Sequence, residues 1–513
     1  MAEVRTREVT AHTDTEMAQD QTKVLQRTLS RFDIVFLIVS AVVGLEMLGS
    51  VSAQGSQTFT WLVILIVVFL VPYALIFAET GSAFVGEGGV YLWTRKAFGR
   101  PAAAVASALT WITQPVWVGG SMAFLNAEAA RNHVVHFAPG STPDYLFKLV
   151  FIWLTVLAAI LSLKKAKWIP TAGAFLKIAF LALFILTAAF YATRHGVQHL
   201  PMSGFSPTLS GFVTLTPLLL FAFLGFEGSS SASGEMHNAQ HDVSVSVLRS
   251  SAMAGIFYLI PVLTILLVIP PTMIDGVSGL LTAVSTVFSV YGPASGAMMT
   301  LAVALFMGAN VGQGAAWMIM SDRMQAMAAA DGSFFGGFFG HFHPTLGTPV
   351  RVNLLSGTVS TAFMLAAMQL TGSSASLFNV VLGVAITTYL FSYLLIIPAA
   401  ARLRTRFPDA ERPFRVPGPN WVFVGMCVIT TALVALGSWV TVFPGTLEAL
   451  LGLPHDFSQA SGVSYGAFEA LTLGTIGFIV ALSLVGYLRG ARLRSRFTSV
   501  PDADLSESLT SAR

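Results

Sequence analysis

The chain has 513 residues, a mean hydropathy of +0.73 and only 10% charged residues. This composition excludes an ordinary soluble globular protein, which needs a more polar surface to stay in solution. The formal net charge of +3 is small, and the basic residues lie between apolar runs, so we predict a lipid bilayer as partner and no nucleic acid.

Apolar runs of about 20 residues recur along the chain, each long enough to cross a hydrocarbon core as a helix. The strands of a membrane barrel would be about 10 residues long and alternating, so the runs favour an all-α membrane protein. We predict twelve transmembrane helices, at residues 32–53, 60–83, 101–130, 147–163, 169–191, 211–235, 250–270, 291–320, 352–371, 376–400, 420–443 and 466–488.

The segments outside these spans are polar. Residues 1–31 predict a disordered cytoplasmic tail, residues 32–489 the transmembrane domain, and residues 490–513 a second cytoplasmic tail. If the N-terminus lies inside, only Arg131, Lys148 and Arg194 among the Lys and Arg residues lie outside, and Lys177 lies within a span. The asymmetry predicts a multi-pass protein of the plasma (inner) membrane with both termini cytoplasmic.

Two spans carry a glycine, a large apolar residue and a glutamate near their middles: Gly44-Leu45-Glu46 in the first and Gly225-Phe226-Glu227 in the sixth. A carboxylate in a membrane span costs roughly 2.5 to 3.5 kcal/mol, so it normally faces a cavity or a partner. Interruptions at corresponding places in two halves indicate the site of a transporter built from inverted repeats. We predict a five-plus-five inverted repeat followed by two helices, with helices 1 and 6 discontinuous.

Four motifs follow one another in a familiar order. They are Glu79 with Glu87-Gly88-Gly89-Val90-Tyr91-Leu92-Trp93, the Phe221 to Glu227 stretch, Ser321-Asp322-Arg323 to Asp331-Gly332, and Arg412-Pro413-Phe414-Arg415-Val416-Pro417-Gly418. Together they resemble the amino acid-polyamine-organocation superfamily of transporters. The resemblance implies a LeuT-like fold, substrate held between unwound parts of helices 1 and 6, and alternating access. The substrate contacts it implies are Val43, Gly44, Leu45, Glu46, Phe223, Gly225, Phe226, Glu227 and Gly228.

Glu46 departs from the superfamily's usual pattern, in which small residues leave bare backbone to hold a substrate carboxylate. An ionised Glu46 about 5 Å from such a carboxylate would cost about 3 kcal/mol at an effective dielectric near 20. Three arrangements avoid this cost: Glu46 is protonated when substrate binds, it turns toward another partner, or it meets an amine. The first would couple transport to protons, and the third favours polyamines or other organic cations. A fourth reading is a glutamate at a wet helix break without a ligand.

Three further residue types carry weaker predictions. The resemblance assigns Glu227 to gating near the substrate, and Phe223 and Phe226 either close over a ligand or pack the helix. Lys177, like the lysine of sodium-independent members, stands in for a sodium ion and changes protonation, or else it snorkels to the interface. We also predict a short amphipathic helix over residues 321–332, ended by Gly332.

The function predicted from these residues is proton-coupled symport or exchange of an amino acid or related amine. Two alternatives stay open, a polyamine or organic-cation:proton transporter and a nutrient sensor that binds without transporting. The single cysteine and the scattered histidines show no metal-ligand spacing, and no catalytic constellation is visible. We therefore predict no metal, no cofactor and no enzymatic activity.

Overall fold

Helices make up the regular structure that a computed structural model describes for residues 14–25, 27–161, 168–270, 274, 279–370, 374–453 and 464–495. The α-helices are α1 (Glu16–Val24), α2 (Arg31–Val42), α3 (Leu45–Ser52), α4 (Gln57–Leu65), α5 (Val71–Ala83), α6 (Val90–Phe98), α7 (Arg100–Trp117), α8 (Ala123–His133), α9 (Thr142–Leu161) and α10 (Trp168–His195). They continue with α11 (Leu209–Ala222), α12 (Ala239–Val268), α13 (Gly279–Phe288), α14 (Ser295–Ala330), α15 (Val350–Leu370), α16 (Ser374–Arg406), α17 (Asn420–Val442), α18 (Thr446–Leu450), α19 (Tyr465–Arg489) and α20 (Ala491–Arg494).

Single π-helical turns continue two of the long helices. Ile66–Leu70 joins α4 to α5, and Val118–Met122 joins α7 to α8. A 3-10 helix, Phe226–Glu235, follows α11 after a short break. Such irregular turns place backbone groups and side chains off the regular helical register, often at functional sites.

Capping residues of the kind expected for helices begin α2 and α11. The Ser30 hydroxyl accepts from the Asp33 amide while the Asp33 carboxylate accepts from the Ser30 amide, a reciprocal capping box. Thr208 caps α11 by accepting from the Gly211 amide at 3.1 Å. The start of each helix that leads into a predicted break is therefore encoded locally.

The predicted membrane spans agree with the structure in place but not fully in number. Within the described residues, ten helices are long and apolar enough to cross a membrane, and the bent pair α2 and α3 makes eleven. The helices over the predicted third span, α7 and α8, are not among them, so the count of twelve is not confirmed.

The segment over residues 321–332 is helical and ends at Gly332, whose φ is +73°, but it is not a separate surface helix. It forms the last turns of the 36-residue helix α14, and its residues Ser321–Ala330 are all buried. The prediction of a separate short helix is wrong because the segment continues α14 and packs inside the bundle, where Asp322 contacts Trp111 and Ser356, and Arg323 contacts Glu235.

The prediction of a disordered tail over residues 1–31 is also wrong for its described part. Helix α1 begins at the cap Thr15, whose amide donates to the Asp331 carboxylate at 3.2 Å and whose hydroxyl donates to the Ala330 carbonyl at 2.8 Å. Composition underestimated order here because distant contacts hold the segment: the polar ones of Thr15, and the burial of Ala18 and Leu29 in the hydrophobic core. Residues 1–13 and 496–513 lie outside the described residues.

Candidate functional site

The first helix break lies between α2 and α3, which meet at an angle of 42°. Gly44 occupies the break, and its amide donates to the Tyr258 hydroxyl at 3.1 Å. The same hydroxyl donates to the Val42 carbonyl at 3.1 Å. A tyrosine from α12 thus satisfies one donor and one acceptor freed by the interruption, which would be costly if left unpaired in an apolar bundle.

Lys177 projects from α10 to the same break. Its ammonium donates to the Ser40 carbonyl at 2.8 Å and to the Val43 carbonyl. Its third hydrogen bond goes to Oε1 of Gln313 on α14, at 2.8 Å. The lysine is fully buried and uses all three donors, so the structure excludes the snorkelling alternative.

Glu46, on the first turn of α3, is linked to that lysine through one amide. Gln313 donates through Nε2 to Oε1 of Glu46, and the Trp117 indole donates to the same oxygen at 3.2 Å. The other oxygen, Oε2, has no hydrogen-bond partner although it is buried. A buried acceptor without a donor costs about 1 to 3 kcal/mol, which marks it as a place for a missing group.

The second break lies between α11 and the 3-10 helix, where Gly225 has a φ of +109°. The Gly225 amide donates to the Tyr73 hydroxyl at 2.9 Å, and that hydroxyl donates to the Glu227 carboxylate. Tyr393 on α16 donates to the other oxygen of Glu227. Each break is therefore held by a tyrosine from another helix, Tyr258 at the first and Tyr73 at the second.

Two small cavities flank these breaks. One contains Glu46 and the other Glu227, and they share the side chains of Gln114, Trp317 and Tyr389. Each measures about 20 Å³, enough for a single water molecule. The structure therefore shows a closed state, in which a larger ligand would need these walls to separate.

Aromatic rings form much of the wall around Glu46. The rings of Trp117 and Phe221 lie 5.4 Å apart, those of Phe221 and Tyr389 5.8 Å apart, and those of Trp317 and Tyr389 6.1 Å apart, all edge to face. A carboxylate among aromatic side chains suits a cationic group, which the carboxylate attracts by charge and a ring attracts where its face is presented.

The predicted residues occupy different places in this arrangement. Gly44, Glu46, Glu227 and Gly228 line the cavities, while Val43 and Gly225 supply backbone groups to the breaks. Leu45, Phe223 and Phe226 are fully buried and line neither cavity; Phe223 packs on Tyr258 and Phe226 on Tyr73. Their substrate contact stays a prediction that this closed state does not display.

Sequence reasoning missed several residues that complete the site. They are polar or aromatic side chains from distant helices: Tyr73, Gln114, Trp117, Tyr258, Gln313, Trp317, Tyr389 and Tyr393. Gln114 and Gln313 carry the available signal, since an amide within an apolar span implies a buried partner. The aromatic residues have no such signal, because rings in spans commonly serve packing.

Gly225 gives a test of the second break. A Cβ there would lie 2.2 Å from the Trp317 ring, on a backbone conformation that side chains rarely adopt. We expect Gly225→Ala to lower the free energy of unfolding by about 1 to 3 kcal/mol and to abolish the transport that the sequence predicts. Thermal unfolding in detergent and uptake measure the two effects. Gly425→Ala on α17 is the control, because a Cβ added there would have no atom within 4 Å. We expect it to change neither the free energy of unfolding nor uptake. Equal behaviour of the two variants would contradict the role of the break.

Comparison with known proteins agrees with this geometry. The sequence model of a family described as amino acid permease matches residues 29–448, most of the chain. The chain belongs to the amino acid permease family. The permease is accordingly a multi-pass integral membrane protein of a transporter family.

Individual relatives handle different substrates. The protein named "Probable agmatine/putrescine antiporter" of Lactococcus lactis is 27% identical over 89% of this chain and 94% of its own length. The branched-chain amino acid permease of Bacillus subtilis is 27% identical over 84% of the permease and 92% of its own length. The aspartate-proton symporter of the same species is 23% identical over 81% and 80%, respectively.

Proposed function

We propose that this permease is a secondary active transporter of an amino acid or related amine, driven by protons and working by alternating access. The observation that carries the proposal is the unpartnered Oε2 of Glu46, buried at a helix break and facing an aromatic cavity. An ammonium group supplies what that oxygen lacks, because it donates hydrogen bonds and carries the opposite charge.

The aromatic wall supports the same assignment. Trp117, Phe221 and Tyr389 present rings beside Glu46, and cation–π attraction adds about 0.5 to 2 kcal/mol in a desolvated site. A substrate carboxylate at this position would instead meet Glu46 at a cost of about 3 kcal/mol. Of the three arrangements open to Glu46, the meeting with an amine is the one we propose.

Proton coupling is supported by the contact chain from Lys177 through Gln313 to Glu46. The Gln313 amide accepts from the ammonium and donates to the carboxylate, so its orientation depends on both charges. Loss of one proton from Lys177 would leave two N–H donors for three acceptors, so the hydrogen bond to Gln313 would weaken or change, and Gln313 would pass this change to the Glu46 carboxylate. Gln313 thus links proton loss at Lys177 to substrate binding at Glu46, although the two side chains are joined only through this amide.

The inverted repeat is supported by the tyrosines at the breaks. Tyr73 follows the first break by one span and holds the second break, whereas Tyr258 follows the second break by one span and holds the first. This reciprocity is what two interlocked repeats would produce. For orientation, the Lys and Arg asymmetry supports cytoplasmic termini in the plasma membrane.

A second candidate substrate class is a diamine or guanidino-amine. The cavity of Glu227 adjoins that of Glu46 and shares Gln114, Trp317 and Tyr389 with it. A linear dication could place one charge at each carboxylate once the shared wall opens. The agmatine and putrescine named for the Lactococcus lactis relative are molecules of this kind.

Uptake by the purified permease in proteoliposomes tests the proposal. The panel is radiolabelled putrescine, agmatine, leucine and aspartate, each measured with an inward proton gradient, with no gradient, and with unlabelled substrate inside. We expect saturable uptake of at least one amine-bearing compound, stimulated by the gradient or by internal substrate. Binding without flux would instead support the nutrient sensor, and neither binding nor flux across the panel would contradict transport of this class.

A further inference from the structure

A third cavity, larger than the two around the helix breaks, lies at the end of the bundle where α1 docks. Its volume is about 190 Å³, and its polar lining comes from Asp14, Thr22, Glu87, Tyr91, Arg95, Lys96 and Asp331. In the proposed orientation this end faces the cytoplasm, and we name this cavity the vestibule.

The Glu87 side chain is buried yet incompletely satisfied. Oε1 accepts from the Gly234 amide at 2.8 Å, while Oε2 has no hydrogen-bond partner. Within the described part of the chain, one guanidinium is shared by two carboxylates, since Arg323 lies 3.2 Å from Glu235 and 3.8 Å from Glu87. The group therefore carries one negative charge in excess when both carboxylates are ionised, and a buried excess charge calls for a cation or a proton.

Around the vestibule, Arg95, Arg100 and Lys96 bring three positive charges against the two negative charges of Asp14 and Asp331. Arg95 pairs with Asp331 at 2.7 Å and with Asp14 at 2.5 Å, and Arg100 adds a second contact to Asp331 at 2.9 Å. Lys96, which also lines the vestibule, has a pKa lowered by burial and by the neighbouring Arg95. Among the carboxylates that line the vestibule, Glu87 is the one with a buried oxygen that has no hydrogen-bond partner; Glu235, whose oxygens also lack one, does not line it.

The vestibule adjoins the cavity of Glu227. Val90 lines that inner cavity and its neighbour Tyr91 lines the vestibule. On α14, Met324 lines the inner cavity and Met327, one turn later, lines the vestibule. Three successive cavities therefore contain one glutamate each: Glu46, Glu227 and Glu87.

Helix α1 covers the vestibule. Asp14, Ala18 and Thr22 face into it. The Gln21 side chain accepts from the Phe342 amide at 2.8 Å and ties the helix to the loop after α14. A ligand in the vestibule would consequently lie beneath this helix and beside the connection of residues 84–89.

We propose that the vestibule is a separate binding site for a small primary amine, whose ammonium group donates a hydrogen bond to Oε2 of Glu87 beneath α1. The class of ligand rests on the proposed function, because the same substrate would meet this site on its way to or from the cytoplasm. The site itself stands on the unpartnered oxygen, the local excess charge of Glu87 and Glu235 over Arg323, and the cavity.

Cysteine protection tests the site directly. The chain has one cysteine, Cys427, so Cys427→Ala with Thr22→Cys places a single thiol in the vestibule wall. Labelling by a membrane-impermeant maleimide is followed from the cytoplasmic side, with putrescine or leucine added. We expect the amine to slow labelling by about tenfold at saturation, in the Glu46→Gln background as well. If putrescine alone slows labelling, the site binds diamines. If leucine slows it as well, the site also accepts amino acids.

Glu87→Gln is the decisive variant, and Asp20→Asn, at an exposed position on α1 that pairs with Lys23, is its control. We expect protection to disappear in Glu87→Gln and to persist in Asp20→Asn, with Glu87→Asp retaining part of it as evidence of intact folding. Protection that vanishes in Glu46→Gln, or that survives Glu87→Gln, would overturn the proposal. Uptake measured on the same preparations shows separately whether transport itself has failed.

The pH dependence follows from the same carboxylate. Burial, and secondarily the charge of Glu235, raise the pKa of Glu87 to about 7. Below that pH a proton neutralises the group, and above it the ionised form is open to an ammonium that stays charged. We expect protection by putrescine at about pH 8 to exceed that at about pH 6; equal protection, or the reverse order, would contradict a role for Glu87 in binding.

Discussion

Glu46→Gln is expected to cut putrescine uptake by about 10- to 100-fold, since the substitution removes a charge-assisted hydrogen bond worth about 1.5 to 3 kcal/mol. The amide keeps the size of the side chain and can still meet Gln313 and Trp117. The loss therefore reports on charge at Oε2 rather than on packing. Initial rates over a concentration series would separate a change in KM from a change in maximal rate.

Two further variants make this result interpretable. Glu46→Asp keeps the charge and should retain part of the uptake, while Glu411→Gln neutralises an exposed loop glutamate and should have no effect. If Glu46 instead carries the coupling proton, Glu46→Gln would preserve binding and remove the dependence on pH. A variant that transports like the wild type in every respect would contradict both roles.

Lys177→Gln is expected to abolish stimulation of uptake by an inward proton gradient. The substitution removes the ammonium that binds the Ser40 and Val43 carbonyls and Gln313. Each buried acceptor left without a donor costs about 1 to 3 kcal/mol, so the closed geometry of the first break should also become less populated. Gradient-driven uptake and gradient-free exchange, measured side by side, distinguish loss of coupling from loss of all transport.

The matched control for this substitution is Lys23→Gln, on the exposed face of α1. Lys177→Arg, which keeps a fixed charge, should resemble Lys177→Gln in lacking gradient stimulation if coupling needs the proton to leave. Thermal unfolding of all three variants checks that each is folded. Normal stimulation in Lys177→Gln would remove Lys177 from the coupling scheme.

Much of the fold was predictable because long runs of apolar residues identify membrane helices in a sequence. The predicted spans coincide with described helices, and the breaks at Gly44 and Gly225 lie where glycine and glutamate interrupt apolar runs. The count of twelve was less secure because α7 and α8 contain many small and polar residues. Helix α1 was missed since its order depends on Asp331 and Ala330, more than 300 residues away along the chain.

The sequence by itself determined the family, the helical membrane architecture and the two glutamates, because a carboxylate inside an apolar span is too costly to be incidental. Only the tertiary structure decided what those glutamates meet. Tyr73 and Tyr393 at Glu227, and Gln313 and Trp117 at Glu46, come from helices far apart in sequence. Hydrogen bonds act over about 3 Å in space, so partners brought together by packing leave no pattern in local sequence.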